Sequence, residues 1–338
     1  VWFINREEEL KRLERGVLSG ESFVLIAPRR YGKTTLIKRL MNQLNGQTIN
    51  FYIDLMPYSD SPQSLMEHML EQFLKELGVA EGIKRFVKGL SLKARAVFEE
   101  FGVELELISE KRDPLLELSK VLDIPQRIAQ KKDRRVLVAY DEFGELYREK
   151  DRLVKLFRSV IQHHDRVSYI FAGSQESLME KIFADRRGAF FRFGTMMELR
   201  ALNLREVLEF AYIHIPMSSV AVSVIEALRG HPYYTSRFFQ KLQVGLEPMI
   251  ALEELLAEEK GYVELLVDKA RTVKHGIDVL RAIALGVNPF ESLKIKAQMV
   301  SKVIQKLRLM GLLRKIDRGR YEITDPLLEG YLSGELAF

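Results

Sequence analysis

Ser22-Phe23-Val24-Leu25-Ile26-Ala27-Pro28-Arg29-Arg30-Tyr31-Gly32-Lys33-Thr34-Thr35 is the stretch that decides how the chain is read. The apolar run at 22–26 stops at Ala27-Pro28, and a short apolar run ended by breakers reads as a buried strand. Beyond the loop, Leu36, Ile37, Leu40, Met41 and Leu44 recur at helical spacing. The order is strand, loop, helix, with Gly32-Lys33-Thr34 at the helix start, which fits the phosphate-cradling pattern G-x-x-x-x-G-K-[ST]. Successive backbone N–H groups in such a loop wrap a β-phosphate, aided by the positive end of the helix. Gly32 lets the backbone approach, Lys33 brings a point charge to the β- and γ-phosphate oxygens, and the Thr34 hydroxyl ligates Mg²⁺. The expected binding segment is Pro28, Arg29, Arg30, Tyr31, Gly32, Lys33, Thr34 and Thr35. One position departs from the pattern: the first glycine is Ala27. The loop entry therefore sits in an ordinary backbone region or carries strain of about 1 kcal/mol.

Three more strand-like runs follow, at 48–54, 136–141 and 167–172, and a weaker one at 196–199 closes the sheet edge. Between 141 and 167, Leu153, Phe157, Val160 and Ile161 mark one helix face. Strands alternating with helices predict an α/β fold with a parallel sheet covered on both sides. The run at 136–140 leads into Asp141-Glu142, and ligands of such sheets bind at the carboxyl ends of strands. Asp141 there holds Mg²⁺, and Glu142 polarises the water that attacks the γ-phosphate. An acidic turn capping the next helix is the plainer reading of that pair, and the phosphate loop outweighs it. The next strand ends at Ser174-Gln175, where Ser174, or second Gln175, senses the γ-phosphate and the water; a helix N-cap is the competing role of Ser174. Arg186, Arg187, Arg192 and Arg200 follow. Arg192 is the candidate for an arginine supplied in cis or from a neighbouring subunit to the transition state. A solvated basic face is the alternative for each.

Composition narrows the rest. The 338 residues leave room for two or three domains. The absence of cysteine excludes disulfides, thiolate zinc sites and a cysteine nucleophile. The six histidines show no metal-ligand spacing. Apolar runs fall short of the roughly 20 residues needed to cross a bilayer. No leader precedes the charged stretch Arg6 to Glu9, so no membrane partner and a cytoplasmic location are expected.

Phe3-Ile4-Asn5-Arg6-Glu7-Glu8-Glu9-Leu10, the loop Ala-Pro-Arg-Arg-Tyr-Gly-Lys-Thr-Thr-Leu and the run Tyr-Asp-Glu-Phe-Gly-Glu-Leu together resemble the archaeal ATPase family, in the AAA+/STAND branch of P-loop NTPases. Members carry a G-P-R-R-x-G-K-[ST] loop, so Pro28-Arg29-Arg30 matches more closely than the general pattern does. The resemblance spans roughly residues 3–240. It implies ATP and Mg²⁺ as cofactors and an ATPase activity. It also implies that Asn5 and Arg6 lie near the adenine or close the cleft. Gly230-His231-Pro232 resembles the G-x-P motif whose proline packs against the base in a helical lid; read locally, it is a helix stop and start with proline in the first turn. Arg237, one helical stretch on, is a candidate lid sensor for phosphate.

The resulting layout is an AAA+-like P-loop NTPase domain at 1–202 with an insertion near 80–130, a helical lid at 203–265 and a winged-helix domain at 266–338. Within 291–320, nine cations oppose Glu291 and Asp317, a net +7 in a chain of net +5. Val300, Val303, Ile304, Leu307 and Leu312 form an inward face that leaves Lys302 and Lys306 outward. Residues 314–323 alternate around Asp317-Arg318-Gly319-Arg320, a hairpin signal. Helix then basic hairpin resembles a winged helix on double-stranded DNA; a protein-contact module is the alternative. Two functions follow from different classes. One is an ATPase whose cycle drives the lid and the winged helix, with homo-oligomer formation in keeping. The other is a nucleotide-switched regulator or scaffold with little turnover.

Overall fold

Every residue of β1 (Phe23–Ile26), β3 (Val136–Asp141) and β4 (Val167–Gly173) is buried. Near-continuous apolar strands of this kind belong to parallel sheets covered on both faces. The computed structural model describes residues 6–58, 61–77, 113–149, 151–215, 217–317 and 319–336. With β2 (Ile49–Asp54) and β5 (Thr195–Glu198), the strands form a parallel five-stranded sheet in the order β2-β3-β4-β1-β5. The strand-like runs in the sequence are all strands, and the weak run at 196–199 is the edge beside β1.

Side chains alternate across the sheet. Val24, Ile26, Val138, Tyr140, Tyr169 and Phe171 join a core completed by α3 (Pro62–Glu76), α4 (Pro114–Lys132) and α5 (Arg152–Ile161). Phe23, Leu25, Leu137, Ala139 and Ile170 join a second core closed by α1 (Glu7–Ser19) and α2 (Lys33–Gln43). Of the region expected as an insertion, residues 80–112 lie outside the described residues, with the alternating piece at 103–108. The remainder is α4, capped by Asp113 and started by Pro114. It buries Leu118, Val121, Leu122 and Ile128 in the first core. That part packs as a layer of the sheet domain.

Tyr140 sits in an aromatic cluster, stacked on Tyr169 and Phe171 at 6.0 Å and edge-on to Phe157 at 5.3 Å. Its hydroxyl is buried without a hydrogen-bond partner among the described residues, and burial pushes its pKa far up. Leaving such a group unpaired costs about 1–3 kcal/mol. Tyr140→Phe is therefore expected to stabilise the protein by about 1 kcal/mol, a rise in Tm of about 1–2 °C. A lower Tm in thermal denaturation counts against this account.

After α6 (Glu176–Phe183) and β5 the chain is helical: α7 (Leu204–His214), α8 (Ser219–Ala227), α9 (Pro232–Gln243) and α10 (Pro248–Arg271). Then come α11 (Gly276–Ala284), α12 (Pro289–Ser292), α13 (Ala297–Leu309), the antiparallel hairpin β6 (Leu313–Asp317) and β7 (Arg320–Ile323), and α14 (Pro326–Ser333). Val300, Val303, Ile304, Leu307 and Leu312 are buried, while Lys302 and Lys306 are exposed, as their spacing predicts. The last helix is not anticipated by the sequence reading. Its eight residues are too short for periodicity, and it is set by Asp325, which accepts from Leu327 and Leu328 N–H, and by Pro326 in the first turn. One continuous core runs through this half, from Leu202 to Leu332.

Candidate nucleotide site

The phosphate loop bridges β1 and α2, and its backbone answers the question left by Ala27. The positive-φ residues of the loop are Arg30 (φ 66°) and Gly32 (φ 84°), and Ala27 is not among them. The loop entry is thus ordinary backbone, and the left-handed turn falls on Arg30, where a non-glycine residue carries strain of about 1 kcal/mol. A Cβ on Gly32 would meet no atom within 4 Å, so glycine is needed there for its φ. No side chain caps the start of α2, so its first N–H groups are available to an anion. Lys33 is buried, and its Nζ donates to the carbonyls of Ala27 at 2.9 Å and Pro28 at 3.2 Å. Burial lowers its pKa, and the carboxylates of Glu142 and Asp141 oppose that shift.

Because β4 lies between β1 and β3, the ends of three strands converge on the loop. The Thr34 hydroxyl donates to Asp141 Oδ2 at 2.7 Å. The Tyr52 hydroxyl, from β2, donates to the same oxygen at 2.7 Å, and Asp141 Oδ1 accepts from the Glu142 N–H at 3.0 Å. Burial and that carboxylate drive the Tyr52 pKa up. Glu142 stands at φ 52°. Its Oε2 accepts from the Ser174 hydroxyl at 2.7 Å and the Ser174 N–H at 3.2 Å. Ser174 therefore does not cap α6, whose N-cap is Gln175. Gln175 instead donates to Glu145 at 2.9 Å.

A cavity of about 680 Å³ opens between the loop and α9, a size suited to a small-molecule ligand. Arg6, Met56, Glu142 and the loop residues Arg29 to Thr35 line one side; Pro232, Tyr233, Ser236, Arg237 and Gln240 line the other. Gly230 places that second wall. At φ 65°, a Cβ there would lie 2.2 Å from the Leu202 carbonyl oxygen, and Leu202 N–H donates to the Gly230 carbonyl at 2.8 Å. The next helix then begins with Pro232, capped by the buried His231. Burial and the nearby Arg30 hold the His231 pKa down to about 3, so the ring is neutral.

The sequence-expected residues divide. Arg6, Arg29, Arg30, Tyr31, Gly32, Lys33, Thr34, Thr35, Glu142 and Pro232 share the cavity, as does Arg237. Arg237 is engaged there by Glu258 at 2.7 Å. Arg6 also donates to Glu9 and to the Arg200 carbonyl. Asn5 lies outside the described residues. Pro28 and Ser174 face a small cleft beside Arg308 and Arg314. Arg192 is exposed, three residues before β5. Thr195 pairs with Phe23, the first residue of β1, so Arg192 stands at the sheet end opposite the loop. Arg30 lines the cavity, yet its guanidinium pairs with Glu259 and stacks on Tyr233 and Tyr262. Tyr52, Tyr233, Glu259 and Tyr262 are absent from the sequence reading. The alternation of Tyr52 along β2 is the one available signal, and it does not say which strand is the neighbour.

A parallel sheet with this loop after β1, and a buried aspartate from β3 bonded to the loop threonine, define a P-loop NTPase fold. The chain belongs to the family of ATPase domains predominantly from Archaea, matched over residues 3–212, in keeping with the AAA+-like resemblance of its motifs. No curated protein matches it. Among solved structures it is similar to a Walker-type ATPase of Pyrococcus abyssi, at 19% identity and TM-score 0.72, with 98% of this chain and 96% of that one covered. It is also similar to the Aeropyrum pernix ORC2 protein in ADPNP–ADP complexes, at 15% identity and TM-score 0.57, with 97% and 91% covered. At these identities the likeness is one of fold. Among the described residues no helix is long and apolar enough to cross a membrane.

Proposed function

We propose that this chain binds ATP with Mg²⁺ in the cleft between loop and lid, and hydrolyses it. The observation that carries the reading is the 2.7 Å hydrogen bond between Thr34 and Asp141, inside the same site as Lys33 and Glu142. A hydroxyl and a carboxylate held together are hard oxygen donors, too few for a full cage, which suits Mg²⁺ keeping several of its waters. Thr34 and Asp141 are the residues to hold it, and the ion neutralises charge on the phosphate oxygens when bound. Lys33 exchanges its two loop carbonyls for phosphate oxygens. Glu142 accepts the proton of the attacking water once released from Ser174, and Ser174 is then free to orient that water or the γ-phosphate. Pro232 packs beside the base. Arg192, at the far end of the sheet, serves only the site of a second copy in a homo-oligomer. A switch with little turnover is the second reading, favoured by the engagement of Glu142 with Ser174.

The layout supports coupling among a nucleotide domain, a lid from about residue 203 and a C-terminal module from about residue 266. Tyr31 of the loop donates to the Thr324 carbonyl at 3.3 Å, and Tyr234 of α9 donates to Asp325 at 2.7 Å. Helix α13 followed by the β6–β7 hairpin has the order of a winged helix. Lys294, Lys296, Lys302, Lys306, Lys315 and Arg320 are exposed on that module and form its double-stranded DNA face. Arg308 and Arg314 are turned inward, toward Glu180 and Glu322. The test is phosphate release with Mg²⁺ or with EDTA, with and without duplex DNA, across a salt series. Release confined to the Mg²⁺ arm is expected, as is DNA binding that weakens with salt at a log–log slope of about −3 or steeper. No release in any arm leaves the switch reading; salt-independent or absent DNA binding removes the DNA face.

A further inference from the structure

One connection between the phosphate loop and the lid runs through Arg30, a residue whose sequence context points to phosphate. Its guanidinium pairs with Glu259 of α10 and lies 3.7 Å from the ring centre of Tyr262 and 4.6 Å from that of Tyr233. The Glu259 carboxylate is buried, with 5% of its side chain exposed, and it also accepts from the Tyr233 hydroxyl at 3.0 Å. Both Arg30 and Tyr233 line the nucleotide cavity, from opposite walls. The loop adopts the left-handed turn at Arg30 that delivers its side chain to this nest.

We infer that Arg30 is a latch: a positioning residue that acts through Glu259, holds the lid against the loop and sets how long a nucleotide stays bound. Drawing α9 and α10 away from the loop strips a buried carboxylate of its cation and two rings of their planar ligand, so lid opening is opposed at this point. A cation and a carboxylate hydrogen-bonded in a buried setting act mainly on dissociation rates when one is truncated. The planar guanidinium satisfies the pair and the stacking together, which a lysine ammonium does not. The inference rests on the nucleotide reading of the cleft, because the latch controls that ligand's escape.

The test is stopped-flow release of a fluorescent ADP analogue from the full chain, compared among wild type, Arg30→Gln, Glu259→Gln, the double variant and Arg30→Lys. Release is expected to speed up about tenfold or more in each single glutamine variant. The double variant should release no faster than the singles, because the pair acts as one unit, and Arg30→Lys should fall between. Tyr233→Phe removes one hydroxyl from the nest and serves if a charge variant fails to fold; its release should quicken a few-fold. Release within twofold of wild type in the folded variants overturns the latch. So does an effect confined to Arg30→Gln, which would place the guanidinium on phosphate. A wild type that does not take up the analogue refutes the nucleotide reading instead.

Discussion

Glu142→Gln is expected to lower ATP turnover by about 10²- to 10⁴-fold while nucleotide remains bound. Glutamine keeps the shape of the side chain and can still accept from the Ser174 hydroxyl and N–H through its carbonyl oxygen, so the contacts seen at 2.7 and 3.2 Å survive. What is lost is the capacity to take a proton from water. The φ of 52° at this residue is a backbone property and is unchanged. The measurement is single-turnover phosphate release beside equilibrium ATP binding. A variant that turns over at the wild-type rate assigns the base elsewhere. A variant that loses ATP binding as well shows that the carboxylate organises the site and does not only act on water.

Lys33→Ala is expected to weaken ATP binding by about 2–5 kcal/mol, a factor of about thirty to several thousand. In the fold, Lys33 is bonded to two carbonyls of its own loop, and its burial already disfavours the charged form. Those carbonyls are at the loop entry, so removing the ammonium relieves a desolvated charge as it removes two hydrogen bonds, and stability should change little. Binding and Tm therefore separate: ATP affinity falls steeply while the melting temperature moves by a few degrees at most. Lys33→Arg should not restore binding, because a forked guanidinium does not fit a space shaped for a point charge. Calorimetric titration with ATP and a thermal melt on the same sample check both parts. Unimpaired affinity would detach the loop from the nucleotide.

The parts of the site that are legible in the sequence are those that local pattern fixes. Lys33 and Thr34 follow a strand-to-loop break, and Asp141 and Glu142 end an apolar run, so position along one segment names them. Tyr52 is different. It reaches Asp141 only because β2 is the neighbour of β3, and strand order is a property of packing between distant segments. Glu259 and Tyr262 lie on a helix of 24 residues where Glu253, Glu254, Glu258 and Lys260 make the surroundings look like a solvated face. Burial of Glu259 comes from the loop arginine that meets it, 229 positions away in sequence. For Arg30 the cation is legible in the loop, but its partner is unknown until the lid is in place. Ser174 is read from the end of an apolar run, while its bond to Glu142 depends on β4 lying next to β3.

The unbroken core from Leu202 to Leu332 gives the helical half the mechanics of a crank. Helices α9 and α10, which meet the loop, and the module carrying the exposed lysines share one buried apolar core. On the proposed coupling, a shift at the nucleotide end would be carried through that shared core. The exposed lysines of α13 and the hairpin would then move with it.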